Sequence, residues 1–178
     1  VDVPELAHKS KGWIESDPYA FKLWFDEKAK DKNQLKRIVR YLKAWTDNKR
    51  HLNLPNGMIF TILAVNNYVA KDRDDEAFLE TLKAIQKSID DTRHNWASYE
   101  CKRPTIDKTE NLLDKYSSDT RKKSFLDALD SLITSGKQAI EAKSKKDACS
   151  KWQKHLGDRF PCSIIEQKDE DVAKAFAS

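Results

Sequence analysis

Residues 32–46 read KNQLKRIVRYLKAWT, and this stretch decides the fold class. Leu35, Ile38, Leu42 and Trp45 recur at the three- and four-residue spacing that places them on one face of an α-helix. A short amphipathic helix gains most of its stability by packing this face against other elements. The stretch therefore predicts a helix that belongs to a larger helical bundle.

The opposite face of the same helix is cationic. Lys36, Arg40 and Lys43 stand at positions i, i+4 and i+7, which places them within about 60° of one another at roughly 100° per residue. Three such cations can converge on a polyphosphate. From spacing alone a solvated face of mixed charge is the simpler interpretation, so phosphate binding is a hypothesis at this point.

Further helices are predicted upstream and downstream of this one. Asp17 followed by Pro18 is typical of a helix start, because the side chain caps free amides and proline presets φ. Residues 58–70 are apolar nearly all round and predict a buried central helix. Asp74 and Asp75 begin a helix that we expect to end near Arg93, since acidic residues favour a helix N-terminus.

The second half of the chain predicts three more helices after an irregular connection at 94–106. A short helix is expected over 107–116, a long one over 119–143, and a last one that ends at Gly157 as a C-terminal cap. The predicted fold class is mainly α, a bundle of about six to seven helices. Beyond Glu166 we expect a peripheral helix or disorder.

The first residues predict a strand rather than a helix. Val1, Asp2 and Val3 alternate and are closed by Pro4, which is typical of a strand end. One strand is not stable alone, so the rest of its sheet is expected from an upstream portion or another chain. Asp2 could hold a divalent cation through its carboxylate, although for an isolated residue a polar side chain at a frayed end is the simpler interpretation.

Composition excludes several classes of protein. Only four glycines and 35% charged residues argue against an all-β fold. The net charge of +4 is smaller than expected for a dedicated duplex-DNA binder. The longest apolar run, at 58–65, is too short to span a bilayer, and we predict no membrane partner.

The cysteines predict a reducing environment. Cys101, Cys149 and Cys162 are odd in number, widely spaced and not preceded by an apolar signal segment, so we expect no disulfide framework and a cytoplasmic location. The set of Cys149, His155 and Cys162 matches no zinc spacing, and we expect Cys149 in the core and His155 at the surface. Trp45 and Trp152 are expected in the core, whereas Trp96 in the loop is ambiguous.

Taken in order, these segments resemble the second half of the CBASS oligonucleotide cyclases, the cGAS/DncV-like nucleotidyltransferases known as CD-NTases. The most specific part is the motif Arg-x-x-Arg-Tyr-Leu-Lys-Ala-Trp at 37–45. The remaining matches are Val1–Pro4, Gly12–Trp13, Ser16–Pro18, Leu54–Gly57, Arg73–Asp75, Pro104, Asn111–Leu113, Trp152 and Gly157–Pro161.

The resemblance implies an α+β enzyme with a catalytic sheet on one side of a cleft and a helical bundle on the other. Such enzymes join nucleoside triphosphates (ATP, GTP or others) into cyclic di- or trinucleotides that trigger antiphage effectors. It implies two Mg²⁺ (or Mn²⁺) ions that activate the attacking hydroxyl and stabilise the pyrophosphate. Residues 1–16 would be the end of the catalytic core and a connector, and 17–178 the C-terminal helical domain.

Individual roles follow from the resemblance. Asp2 would be the third metal-binding carboxylate and hence catalytic, Lys43 would contact the donor triphosphate, and Asn56 would lie near those phosphates. Lys36 and Arg40 extend this nucleotide site on the evidence of the helical wheel. A HORMA-like or ubiquitin-like regulatory partner is also compatible with the family.

One departure limits what the chain can do alone. The Gly-Ser turn and paired Asp-x-Asp acids that should precede Asp2 are absent from these 178 residues, so we expect no catalysis by this chain by itself. Two rival interpretations remain: a helical module that binds nucleotides or nucleic acid through the basic helix face without catalysis, and a purely structural interaction domain.

Overall fold

The computed structural model describes residues 17–89, 99–106, 108–158, 160 and 162, together with the backbone of 5–8 and 12–15. These residues form a helical bundle, which confirms the predicted fold class. The helices are α1 (Pro18–Lys28), α2 (Asn33–Asn48), α3 (Gly57–Asn67), α4 (Asp74–Ile89), α5 (Asp119–Ile140) and α6 (Lys145–Leu156). In the described part of the chain, no helix is long and apolar enough to span a membrane.

Two short strands precede the bundle. β1 (Glu5–His8) and β2 (Gly12–Glu15) pair as an antiparallel hairpin, with Leu6 opposite Ile14. The hairpin was not predicted, because four-residue strands give too little alternation to be recognised. The strand predicted at Val1–Pro4 lies outside the described residues.

The core is built around α3. Phe60 and Ala64 on this helix are completely buried, and Ile59, Ile62 and Leu63 are nearly so. Helices α1, α2 and α4 all contact α3. The prediction of a buried central helix is confirmed, although α3 ends at Asn67 rather than at residue 70.

Aromatic side chains connect the helices across this core. Trp45 of α2 packs edge-on against Phe60 of α3 with ring centroids 5.3 Å apart, and Phe60 packs against Phe125 of α5 at 5.6 Å. Phe78 of α4 contacts Trp152 of α6 at 5.3 Å. Trp45 and Trp152 are both buried, which confirms that they are core residues.

The predicted helix over 107–116 is wrong. Over 108–116, the part of this stretch that the structure describes, the helical structure is a single 3-10 turn at Asp114–Tyr116, and Lys102 makes an isolated antiparallel bridge with Asn111. The Asn111 side chain accepts hydrogen bonds from the amides of Cys101 (2.8 Å) and Leu113 (3.1 Å). These side-chain bonds to the backbone compete with helix formation, and asparagine is well suited to make them.

Two expectations about the cysteines and His155 are also wrong. Cys149 and Cys162 form a disulfide, although they are separated by 13 residues and were expected to be unpaired. His155 is buried, with 3% of its surface exposed, instead of lying at the surface. The expectation that Cys149 lies in the core is confirmed. Cys101 is a buried thiol whose pKa burial raises to about 12.

His155 is buried because the last turn of α6 is fixed on both sides. Asn48, at the end of α2, donates a hydrogen bond from Nδ2 to the His155 carbonyl oxygen at 3.0 Å. The Nε2 atom of His155 lies 2.8 Å from the hydroxyl of Ser135 on α5. Burial, together with the positive charges of Lys49 and Lys154, lowers the pKa of His155 to about 4.

The low pKa of His155 predicts a loss of stability in mild acid. The unfolded chain binds a proton on this ring near pH 6.5 while the folded chain does not, so the free energy of unfolding falls as the pH drops from about 6.5 towards 4, by on the order of a few kcal/mol. Urea unfolding over this range measures the effect. His155→Gln should reduce the change in the free energy of unfolding with pH. His51→Gln, at an exposed position, is the control and should leave that change as in the parent. The same pH dependence in the parent and both variants would contradict the assignment to His155.

Gly136 lies at a close contact between α5 and α6. A Cβ at this position would lie 2.6 Å from the Cη2 atom of Trp152 and 3.2 Å from Cδ1 of Leu79. Glycine is therefore required by packing, although it weakens a helix interior.

We expect Gly136→Ala to destabilise the chain by about 1–3 kcal/mol, because overpacking the buried Trp152 outweighs the gain in helix propensity. Chemical denaturation measures the change. Thr134→Ala, at an exposed position of the same helix, is the matched control and should be neutral or slightly stabilising. A Gly136→Ala protein more stable than the parent would show that Trp152 moves aside freely.

Candidate functional site

The cationic face predicted from the sequence is present on α2. The apolar face of this helix is buried through residues such as Leu35 and Leu42. Arg40 and Lys43 are exposed, and Lys36 is partly exposed. Within the part of the chain that the structure describes, none of these three cations forms an ion pair. Their charges are therefore not neutralised by acidic neighbours in that part.

Lys43 lies over the first residue of α3. Its Cγ and Cε carbons are each 3.5 Å from the position that a Cβ on Gly57 would occupy. The lysine stem thus covers the glycine while the residue as a whole remains exposed. This contact places Lys43 beside the amide-rich, positively polarised end of α3.

Asn56 is the N-cap of α3. Its Oδ1 atom accepts hydrogen bonds from the amides of Met58 and Ile59, both at 3.1 Å. The structure therefore brings two of the predicted residues to the start of α3, since the Lys43 stem packs against Gly57 and Asn56 directly precedes it. Asn56 therefore also has a structural role, as the N-cap of α3, that was not predicted from the sequence.

A second interaction, missed in the sequence, holds the same helix in place. The Arg37 guanidinium forms a bidentate ion pair with Asp74 at the start of α4. Its Nε atom donates to Oδ2, and its Nη2 atom donates to Oδ1 at a distance of 2.9 Å. Gln34 donates to Asp74 Oδ1 at 3.1 Å and accepts from the Tyr68 hydroxyl at 2.8 Å. The bond from Arg37 lowers the pKa of Asp74 below its ordinary value.

This group, Gln34, Arg37, Tyr68 and Asp74, fixes the rotation of α2 about its axis. Arg37 and Lys36 are consecutive residues and point about 100° apart on the helix, so the ion pair of Arg37 with Asp74 sets the direction in which Lys36 points. Both Arg37 and Asp74 belong to the motifs quoted above. They are 37 residues apart in the sequence, so their pairing is seen only in the folded structure.

The metal ligand predicted at Asp2 lies outside the described residues. Among the residues that the structure does describe, no three His, Cys, Asp or Glu side chains gather as a metal-binding group. What the described part of the chain presents at the predicted site is the cationic face of α2.

We expect Asn56→Ala to cost about 1 kcal/mol of stability, because the amides of Met58 and Ile59 lose their side-chain acceptor. Asn56→Asp keeps an acceptor at the N-cap and should retain most of the stability. Thermal or urea unfolding measures both. Equal losses in the two variants would mean that capping is not what Asn56 contributes.

Three comparisons bear on this geometry. The family model described as the cyclic GMP-AMP synthase C-terminal domain matches residues 32–168. A cyclic GMP-AMP synthase of Escherichia albertii is 32% identical in an alignment of 89 positions that covers 46% of this chain and 20% of that protein.

Solved structures of the Vibrio cholerae DncV cyclic AMP-GMP synthase have the same fold over 88% of this chain. The complex with the linear intermediate 5' pppA(3',5')pG has a TM-score of 0.71 at 22% identity, and the match covers 41% of that chain. The complex with nonhydrolyzable GTP has a TM-score of 0.70 at 22% identity, with 42% of that chain covered. This chain therefore spans less than half the length of the proteins that it resembles.

Proposed function

The chain belongs to the family of the cyclic GMP-AMP synthase C-terminal domain, and from this premise we propose that it is the C-terminal part of a bacterial antiphage cyclic-oligonucleotide synthase. The proposed reaction joins nucleoside triphosphates into a cyclic di- or trinucleotide. The observation that carries the proposal is the juxtaposition of Lys43 with the N-terminus of α3 at Gly57.

In the proposed site, α2 and α3 bind the triphosphate of the donor nucleotide. Lys43 supplies a mobile ammonium group next to a helix N-terminus, and both features favour a phosphate. Arg40 and Lys36 extend the positive surface along the same face of α2 and would hold the remaining phosphate charge. Asn56 would keep the end of α3 formed while Lys43 makes the contact.

Solved structures with the same fold support a triphosphate ligand. The Vibrio cholerae di-nucleotide cyclase has been solved in complex with GTP and 5MTHFGLU2, and a mutant of it in complex with ATP, GTP and 5MTHFGLU2. We propose ATP or GTP as ligands of this chain on the basis of its free cations and this likeness.

Catalysis would require groups beyond the described residues. Asp2, with acidic residues supplied by an upstream portion or a second chain, would hold Mg²⁺ or Mn²⁺, which supply charge stabilisation for phosphoryl transfer. The helical part would bind and orient the triphosphate. Positioning of the reacting groups accounts for much of the rate enhancement in phosphoryl transfer. The proposed location is the cytoplasm, and a regulatory protein partner belongs to the same proposal.

A non-catalytic nucleotide- or nucleic-acid-binding module is the alternative, and the same cations would serve it. The two differ in what precedes residue 1. A Gly-Ser followed by Asp-x-Asp, in frame upstream, supports the synthase, whereas a different upstream sequence supports the binding module.

We expect ATP or GTP to raise the melting temperature of the chain, with a larger rise in Mg²⁺, because a ligand that binds only the folded state stabilises it. Lys43→Glu should abolish the rise, since it reverses the charge beside the helix N-terminus. Lys137→Glu, an exposed position on α5, carries the same change in net charge and should leave it intact. A rise of equal size in the Lys43→Glu protein would refute the site.

A further inference from the structure

A disulfide ties the segment that follows α6 back to that helix. Cys149 lies in the second turn of α6, and Cys162 lies beyond the end of the helix at Leu156. The bond joins residues with a sequence separation of 13. Such a crosslink limits how far the two ends of the loop can move apart when weaker contacts open. We call residues 157–162 the clasp segment.

The clasp segment places Phe160 against aromatic side chains of the bundle. The Phe160 ring packs edge-on against Tyr41 of α2, with ring centroids 6.3 Å apart. Phe160 also lines a cavity of about 330 Å³, together with Tyr41, Phe78 of α4 and Trp152 of α6. The segment therefore supplies one side of an aromatic wall whose other sides belong to three helices.

The noncovalent contacts of the clasp segment are weak by comparison with a covalent bond. Gln153 of α6 donates from Nε2 to the Phe160 carbonyl oxygen at 3.2 Å. The amides of Phe160 and Cys162 donate to carbonyls within the segment, at 3.0 and 2.9 Å. Hydrogen bonds of this kind add little net stability, because water replaces them when the segment opens. The disulfide is therefore the main constraint on the position of Phe160.

The two cysteines differ in their access to solvent. Cys149 is 4% exposed, whereas Cys162 is partly exposed. Disulfides are reduced by a thiolate that attacks one sulfur and expels the other, so access decides which sulfur is attacked. A reductant in solution therefore reaches this bond from the Cys162 side.

We propose that Cys149 and Cys162 form a redox-sensitive clasp, which holds Phe160 in the wall of the aromatic cavity as the disulfide and releases it as the dithiol. The choice of a switch over a permanent crosslink rests on the cytoplasmic location that belongs to the proposed function. Disulfides in that compartment are usually transient and redox-sensing, because thiol pools keep most cysteines reduced.

A dithiol is the reductant in this exchange. One of its thiolates attacks Sγ of Cys162, the bond between the two cysteine sulfurs breaks, and Cys149 leaves as a thiolate that takes up a proton. The second thiol of the reductant attacks the mixed disulfide and releases Cys162, which is protonated in turn. Two electrons and two protons pass to the chain, and the reductant becomes a disulfide. Oxidised glutathione closes the clasp by the reverse exchange and leaves as two molecules of reduced glutathione.

Amide hydrogen exchange followed by NMR tests whether the disulfide holds the segment. The oxidised chain is compared with the chain reduced by dithiothreitol, a small dithiol. We expect the amides of Phe160 and Cys162 to exchange about tenfold faster or more after reduction, because the segment then opens locally. The nuclear Overhauser contacts between the rings of Phe160 and Tyr41 should weaken, and the amide of Phe60 in α3 should not change. Equal exchange at Phe160 in both states overturns the proposal.

Two cysteine variants separate the clasp from other effects of the reductant. Cys162→Ser should exchange like the reduced parent with or without dithiothreitol, because it cannot form the disulfide. Cys101→Ala removes the buried thiol outside the pair and should respond to dithiothreitol as the parent does. Slow exchange in Cys162→Ser, as in the oxidised parent, would mean that noncovalent contacts hold the segment and that the clasp does not exist.

Equilibration with glutathione distinguishes a switch from a permanent crosslink. The chain is incubated in mixtures of reduced and oxidised glutathione, and its thiols are then labelled with a maleimide polymer under denaturing conditions and counted by gel shift. A clasp shows three thiols in the reducing mixtures and one in the oxidising mixtures. A pair that stays oxidised in every mixture, or reduced in every mixture, overturns the proposal. Lys43→Glu should give the same counts, so failure of the triphosphate site is distinguishable from failure of the clasp.

Discussion

The burial of α3 is the constraint on which the rest of the bundle depends. A helix that is apolar on all sides has to be covered by neighbours along its length, and α1, α2 and α4 provide this cover. Its N-terminus must still have its free amides satisfied. Asn56 does so for two of them, and the Lys43 stem closes over Gly57. The packing of the core therefore fixes the position of the lysine assigned to the triphosphate.

The polar residues of α2 divide into two sets with different tasks. Arg37 is committed to Asp74, and Gln34 bridges Asp74 and Tyr68, so this side of the helix is used for folding. Lys36, Arg40 and Lys43 lack such partners in the described part of the chain. A charge that already forms an ion pair contributes less to a ligand than one that does not, because the first pair has to be broken or shared. The separation of the two sets is what makes the second face suitable for binding.

Local patterns predicted most of the helices, since a stripe of apolar residues with a period of 3.6 determines both the helix and the side that it buries. The cationic face of α2 was predicted for the same reason, because it lies opposite the apolar stripe of that helix. What failed depends on contacts between distant residues. The loop at Asn111 is held by bonds to residues 99–101, the buried state of His155 depends on Ser135 and Asn48, and the disulfide depends on where residue 162 returns to α6. The Arg37–Asp74 ion pair was not predicted either, because its two residues are 37 positions apart in the sequence.

The end of α2 has two sides with different tasks. Lys43 and Trp45 are two residues apart, which corresponds to about 200° on a helix, so Lys43 contacts Gly57 while Trp45 is buried against Phe60. Asn48 ties the same end of the helix to α6 through its hydrogen bond to the His155 carbonyl oxygen. The turn that carries Lys43 is therefore held by the core on one side and by α6 at its end, and the backbone position of this lysine follows from the packing of the bundle.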